Sequence, residues 1–204
     1  MELDFSQLTP NQRYHCMTQV IAPRPVAWIL SENPQAESYN LAPFSYFNAV
    51  CSDPPLLMVS IGQRPEGGPK DTAANILSRQ RCVVHIAGSE LAGEVTESSR
   101  PLAVGESEVS AQALVLAEFG ESPLPRLANA KVALYCELYK SEEIGSAPQQ
   151  LLFLEVKQVH ISDEVASNKG ERLKVDATAL DPLGRLGGGE YWVGGEILTI
   201  DRPS

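Results

Sequence analysis

The sequence predicts a mainly β protein, a closed antiparallel barrel with one or two helices attached. Three observations carry that expectation. Short apolar runs and runs of period-2 alternation outnumber helical patterns along the 204 residues. Clusters of Gly, Pro, Asn and Asp separate these runs at short intervals, as turns require. Two long β-type runs, 132–139 and 151–161, are joined by a polar stretch, 142–150, that suits a hairpin. Many short strands, frequent turns and few helices suit a barrel.

Taken in order, Pro25–Ser31 reads as a strand, 32–35 as a turn, and Ser38–Leu41 as the returning arm of a hairpin. Residues 42–52 continue extended. Pro43 lacks an N–H for a ladder, which implies an edge or a bulge there. Asp53-Pro54-Pro55 is a turn, Leu56–Ile61 a buried strand, and 62–69 a loop. A helix follows over Ala73–Arg79, with Asp71 or Thr72 as its cap and Ile76 and Leu77 on its apolar face. Cys82–Ala87 returns to strand. A helix near 89–98 precedes irregular chain with strand-like pieces at 113–117. After residue 162 the apolar content drops, and 180–195 is Gly-rich with Tyr191 and Trp192. The whole reads as a single domain, 1–204, with residues 163–204 as a C-terminal arm.

Bulk properties exclude several classes. Hydrophobic residues at 43% and charged residues at 21% suit a folded domain of ordinary composition. A net charge of −10 without a Lys/Arg cluster argues against nucleic acid and against anionic membranes. It also requires that any anionic ligand meet a local positive spot. Cys16, Cys51, Cys82 and Cys136 are far apart; Cys82 and Cys136 sit in apolar runs and read as core. A reducing, cytoplasmic setting is expected, with no signal peptide and no span long enough for a membrane. His15, His85 and His160 are scattered, so no metal site is expected. His85 on a buried strand reads as a satisfied core histidine, although its pKa range suits proton transfer.

Two segments could hold a ligand. The first is Arg64-Pro-Glu-Gly-Gly-Pro-Lys-Asp-Thr72. Gly67 and Gly68 let backbone N–H groups approach an anion. Arg64 and Lys70 supply charge, the helix start supplies free N–H groups and its dipole, and Thr72 adds a hydroxyl. Asp71 would repel a phosphate unless it caps its own helix or pairs with a neighbouring cation. The same residues equally suit a solvated loop ahead of a capped helix. The second segment is 40–55, where Ser45, Asn48 and Ser52 interrupt an apolar stretch. A strand edge with such side chains can read the rim of a flat heteroaromatic ring, or be an edge strand with one wet face.

The strings Arg24-Pro-Val-Ala-Trp-Ile-Leu-Ser31, Asn40–Val50, Ser52-Asp-Pro-Pro-Leu56 and Lys70-Asp-Thr72 with Asn75-Ile76 resemble the flavin-reductase-like family, which includes flavoredoxin-type proteins. Asp181-Pro-Leu-Gly-Arg-Leu-Gly-Gly-Gly-Glu-Tyr191 is similar to its late signature, so the resemblance runs through most of the chain. It implies an FMN-binding split β-barrel, Greek-key-like and antiparallel with a few short helices. It also implies a homodimer with FMN near the subunit interface. By this resemblance Ser45, Asn48 and Ala49 meet the ring and ribityl chain. Cys51, Ser52, Arg64, Lys70 and Thr72 lie near the phosphate. Many relatives carry Ser where this chain has Cys51, which here offers a backbone N–H and no hydroxyl. Tyr191 and Trp192 would cover the ring or serve packing.

The expected activity is that of an NAD(P)H-dependent flavin oxidoreductase, transferring a hydride from NADH or NADPH to FMN. Free flavin or a redox protein would be the onward acceptor. No acid or base is needed for hydride delivery, so no catalytic side chain is named. The alternative is a flavoredoxin-like electron carrier reduced by a protein partner. The lack of a Gly-x-Gly-x-x-Gly dinucleotide fingerprint favours that alternative.

Overall fold

The fold is that of a computed structural model, which describes residues 1–35, 37–169, 172–201 and 203. A one-turn 3-10 helix, Phe5–Gln7, leads to helix α1 (Pro10–Val20), followed by strands β1 (Arg24–Pro25), β2 (Ala27–Glu32), β3 (Tyr39–Phe44), β4 (Phe47–Ser52) and β5 (Pro55–Ile61). Helix α2 (Asp71–Arg79) and β6 (Arg81–Ile86) come next. A 3-10 turn (Ser89–Leu91), α3 (Ala92–Glu97), α4 (Glu108–Ala111), β7 (Leu116–Ala117) and β8 (Arg126–Leu127) follow. The chain then makes the long hairpin β9 (Val132–Ile144) and β10 (Gln149–Ile161). It ends through β11 (Ala166–Lys169), β12 (Arg172–Val175), α5 (Ala177–Leu180), β13 (Gly184–Arg185) and β14 (Tyr191–Trp192).

The mainly β, antiparallel expectation holds. Seven strands form one sheet in the order β3-β2-β6-β9-β10-β5-β4. Its two edges, β3 and β4, are consecutive in the chain and separated by Ser45 and Tyr46 alone. The Ser60 N–H donates to the Tyr46 carbonyl at 2.8 Å, so β5 also holds the corner. One bent stretch of chain thus supplies both edges and curls the sheet into a barrel. Pro43 sits in edge strand β3, where a missing N–H is tolerated. The break falls two residues later, at the corner, and the bulge falls in β4 between Ala49 and Cys51.

Two apolar clusters explain the continuous apolar runs of β2 and β6. Ala27, Ile29, Val59, Ile61, Cys82, Val84, Leu152 and Leu154 fill the barrel, with Ala73 and Ile76 of α2 packed among them. Trp28, Leu30, Val83, Ala133 and Tyr135 point the other way and are covered by Leu91, Val95, Val109, Phe119 and Leu124. Both faces of these strands are therefore buried, and period-2 alternation is lost. The Trp28 indole N–H donates to Ser98 Oγ at 2.9 Å, which satisfies its buried polar atom.

Three features depart from the sequence expectation. Helix α1 was not foreseen. Thr9 and Gln12 form a capping box around Pro10, but the helix buries Thr18 alone and so shows no apolar stripe. The hairpin β11–β12 was not foreseen either, because its exposed residues carry little apolar pattern. The cap of α2 is Lys70, which makes no side-chain capping bond; Asp71 and Thr72 are the first helical residues. The C-terminal residues pack back on the fold: β13 joins β1 and β14 in a separate three-stranded sheet, and Leu183 enters the apolar cluster outside the barrel.

Candidate functional site

Five of the eight sequence-predicted site residues belong to the corner and to edge strand β4. Residues Asn48 to Ser52 are all exposed, so β4 offers an open edge and a wet face. The Ser45 hydroxyl lies 3.4 Å from Arg24 Nε. Asn48 Oδ1 accepts from the Ala49 N–H at 2.9 Å, and Cys51 Sγ lies 3.1 Å from the Pro54 carbonyl. The other edge of the sheet is closed. On β3, Glu108 Oε2 accepts from the Leu41 N–H at 2.8 Å and Ser107 Oγ donates to the Tyr39 carbonyl at 2.6 Å. Burial pushes the Glu108 carboxyl above its ordinary pKa, the Leu41 N–H opposes that shift, and nearby Asp71 adds to it.

Arg64, Lys70 and Thr72 lie on the loop and helix after β5. The loop folds on itself: the Arg64 N–H donates to the Gly68 carbonyl at 3.0 Å and the Gly67 N–H to the Arg64 carbonyl at 2.9 Å. Gly67 and Gly68 have φ of 94° and 83°, a region L side chains rarely adopt; a Cβ there would meet only open space. Conformation, not crowding, thus calls for glycine. Arg64 is ion-paired with Asp71, so the carboxylate is neutralised by a neighbouring cation. Lys70 is exposed, lies 5.9 Å from the Phe44 ring centre, and has no carboxylate partner among the described residues. Thr72 is buried, and its hydroxyl accepts from Asn40 Nδ2 at 2.8 Å. Its side chain faces Asn40 on β3, and its backbone N–H lies in the first turn of α2, where no intrahelical acceptor exists. Side chains cap α1, α4 and α5, whereas the start of α2 has no such cap.

Ser45, Arg64, Lys70 and the start of α2 share one rim. Strand β5 leaves the β4 ladder at Phe47↔Val59 and runs on to Ile61, so the loop starts beside the corner. The Lys70 contact with Phe44 agrees. Cys51 and Ser52 lie at the far end of β4, about 17 Å along the strand at ~3.3 Å per residue. A single chain therefore gathers Ser45, Arg64, Lys70 and the α2 start, and holds Cys51 and Ser52 apart from them.

Arg24 opens strand β1, and its part in the site is not visible in the sequence. It is buried, and Nη1 donates to the carbonyls of Thr18 and Ile21, each at 2.6 Å. Nη2 donates to the Leu186 carbonyl at 2.9 Å. It thus ties α1, the C-terminal strands and Ser45 together. Leu186 is 162 residues away, a separation no local pattern reveals. A cleft of about 590 Å³ opens nearby, lined by Pro23, Pro25, Asp181, Leu183, Trp192 and Ile197 among others. Trp192 is exposed at this cleft, while the Tyr191 ring packs against the core and under Arg185.

His85 is a core residue. Its Nδ1 meets the Trp28 carbonyl at 3.0 Å and its Nε2 accepts from the Leu127 N–H at 3.0 Å, which fixes a neutral ring. Burial holds its pKa down to about 4. Cys82 and Cys136 face each other across β6 and β9, both buried, and burial raises the Cys82 thiol to about 12. Such thiols are packing groups.

Residues 20–180 match the family described as the flavin reductase like domain. An uncharacterised protein of Halalkalibacterium halodurans is 34% identical over 206 residues, covering 100% of this chain and 97% of that protein. Nitrilotriacetate monooxygenase component B from Bacillus cereus superposes with a TM-score of 0.89 at 29% identity, over 98% of each chain. The 2-nitrobenzoate 2-nitroreductase of Pseudomonas fluorescens does so with a TM-score of 0.88 at 28% identity, over 100% of this chain and 97% of that one.

Proposed function

The chain belongs to the flavin reductase like family, and from that premise we propose that it binds FMN and through it passes a hydride from NADH or NADPH to an acceptor. The observation that carries this reading is the uncapped start of α2 beside Lys70, whose charge no carboxylate offsets among the described residues. Free N–H groups at a helix start, with one cation, favour a dianionic phosphate. Arg64 neutralises Asp71, whose carboxylate would otherwise repel the phosphate. Ser45, Asn48 and Ala49 on the open edge would hydrogen-bond the ring and ribityl chain.

Bound FMN supplies the redox chemistry, and the protein supplies placement and water exclusion. The chain has no dinucleotide fingerprint, so the nicotinamide would dock by stacking on an open face. The cleft at Trp192 suits that role in size. The separation of Cys51 and Ser52 from Lys70 supports a homodimer in which β4 of one copy completes the site of the other. Free cysteines among the described residues fit a cytoplasmic setting. No helix of the described residues is long and apolar enough to cross a membrane.

The test is direct. FMN added to the purified protein should lose fluorescence on binding. Arg64→Ala with Lys70→Ala should weaken binding by about 10-fold or more. Unchanged affinity would remove the phosphate assignment. Anaerobic mixing with NADH or NADPH should bleach the flavin band within a catalytic time. A flavin that binds but bleaches with neither nucleotide means a carrier reduced by a protein partner. The net charge of −10 suits a basic partner in that case.

A further inference from the structure

We propose that Asn40, a buried residue of β3, is the positioning residue for the phosphate end of the site, a role that rests on the reading of α2 as the phosphate-binding helix. Ala73 and Ile76 anchor α2 in the barrel, with 1% and 0% of their surfaces exposed. Apolar contact fixes how deep a helix sits, but it is non-directional and sets rotation about the axis poorly. Direction comes from hydrogen bonds. Asn40 Nδ2 donates to Thr72 Oγ1 at 2.8 Å and lies 3.3 Å from Ser31 Oγ. Asn75 Nδ2 donates to the same Ser31 oxygen at 3.2 Å and to Asn33 Oδ1 at 3.0 Å. At the far end of the helix, Arg79 reaches the Asn33 and Pro34 carbonyls, each at 3.3 Å.

The helix is thus clamped to the β2–β3 hairpin at its start, its middle and its end. Asn75 and Arg79 hold the later turns. The Asn40–Thr72 bond acts on the first turn, where the N–H groups of Asp71, Thr72 and Ala73 emerge. Both donors of the buried Asn40 amide are engaged, with Thr72 and with Ser31, and stranding a buried donor is costly, so this contact admits little rotation. Asn40 is 3% exposed and its donors are spent inside the fold, so it acts on a ligand through Thr72 rather than by touch. Its effect belongs to the phosphate and not to the ring, because the ring residues lie on β4 and the corner.

The experiment compares FMN with riboflavin, which has the same ring and no phosphate. Dissociation constants are read by quenching of flavin fluorescence for the wild type, Asn40→Leu, Thr72→Val, the double variant and Lys70→Ala. Asn40→Leu and Thr72→Val should each weaken FMN by about 10-fold while riboflavin stays within about 2-fold. The double variant should be no worse than Asn40→Leu, since the Asn40–Thr72 bond is already lost in each single variant. Equal losses for both ligands, no loss for FMN, or additive losses would overturn the proposal. If Asn40→Leu does not fold, Thr72→Val, nearly the same volume, carries the same readouts alone. The underlying reading fails separately: the wild type would then hold FMN no better than riboflavin, or Lys70→Ala would leave that preference intact. A Lys70→Ala effect on FMN alone, with Asn40→Leu and Thr72→Val silent, overturns only the role of Asn40.

Discussion

His85 makes a prediction about acid stability. It is neutral in the fold with a pKa held near 4 by burial, against an ordinary value of 6.5. Between those values the unfolded chain binds a proton that the folded chain refuses. Stability therefore falls as pH drops from about 6.5 to about 4, by ~1.4 kcal/mol per pH unit from this group. It contributes nothing above that window and falls no further below it. His85→Asn keeps a donor toward the Trp28 carbonyl but strands the Leu127 N–H. It should cost about 1–3 kcal/mol at pH 7.5 yet flatten the acid slope, read from urea midpoints at pH 7.5 and 5. An unchanged slope would sink this account. Arg24→Met strands the carbonyls of Thr18, Ile21 and Leu186 and should cost about 3 kcal/mol or more in the same assay. The two residues differ in legibility. A histidine inside an apolar strand already reads as core, whereas the partners of Arg24 come from chain far apart in sequence.

At the scale of elements, the contrast between the two sheet edges carries the next prediction. Edge β3 is sealed by Ser107 and Glu108, and edge β4 is open. Glu108→Gln keeps an acceptor for the Leu41 N–H without a buried charge. Because the folded carboxyl has a raised pKa, ionisation at neutral pH opposes folding, so Gln should match or exceed the wild type at pH 7. Glu108→Ala should lose about 1–3 kcal/mol, as a buried N–H is left unpaired. A loss on Glu108→Gln as large as that on Glu108→Ala would refute the argument. The elements with two buried faces, β2 and β6, were legible as apolar runs, and so was α2. Helix α1 was not: its capping box was in plain view, but a helix that buries one threonine leaves no 3.6-residue stripe. Helix α2 starts at Asp71, two residues before the expected Ala73. The sequence could not show that Thr72 turns inward, because its partner Asn40 sits on another strand.

For the whole molecule, Arg24 of β1 joins helix α1 to the C-terminal stretch, and β13 pairs with β1. Truncation after Trp192 removes exposed residues such as Ile197, Leu198 and Ile200 and two bonds among the described residues, Gly194 N–H to Asp181 at 2.7 Å and Trp192 Nε1 to the Gly194 carbonyl at 3.0 Å. The thermal midpoint should drop by about 2–4 °C. Truncation after Leu180 also removes Leu183 and the Leu186 acceptor of Arg24, and the midpoint should fall by about 10 °C or more. Equal midpoints for the two would mean that the C-terminal strands are dispensable. The pairing of β5 with β10 has a consequence for how the protein is made. Strand β5 ends at Ile61, but its second neighbour β10 begins at Gln149, so roughly 90 residues must leave the ribosome in between. At about 5–20 residues per second the hairpin β4–β5 waits several seconds or more with the β5 ladder that β10 will fill still bare. A nascent chain stalled before residue 149 would offer that unfinished sheet to any chaperone that recognises bare strands, and the late arrival of β10 would withdraw the offer.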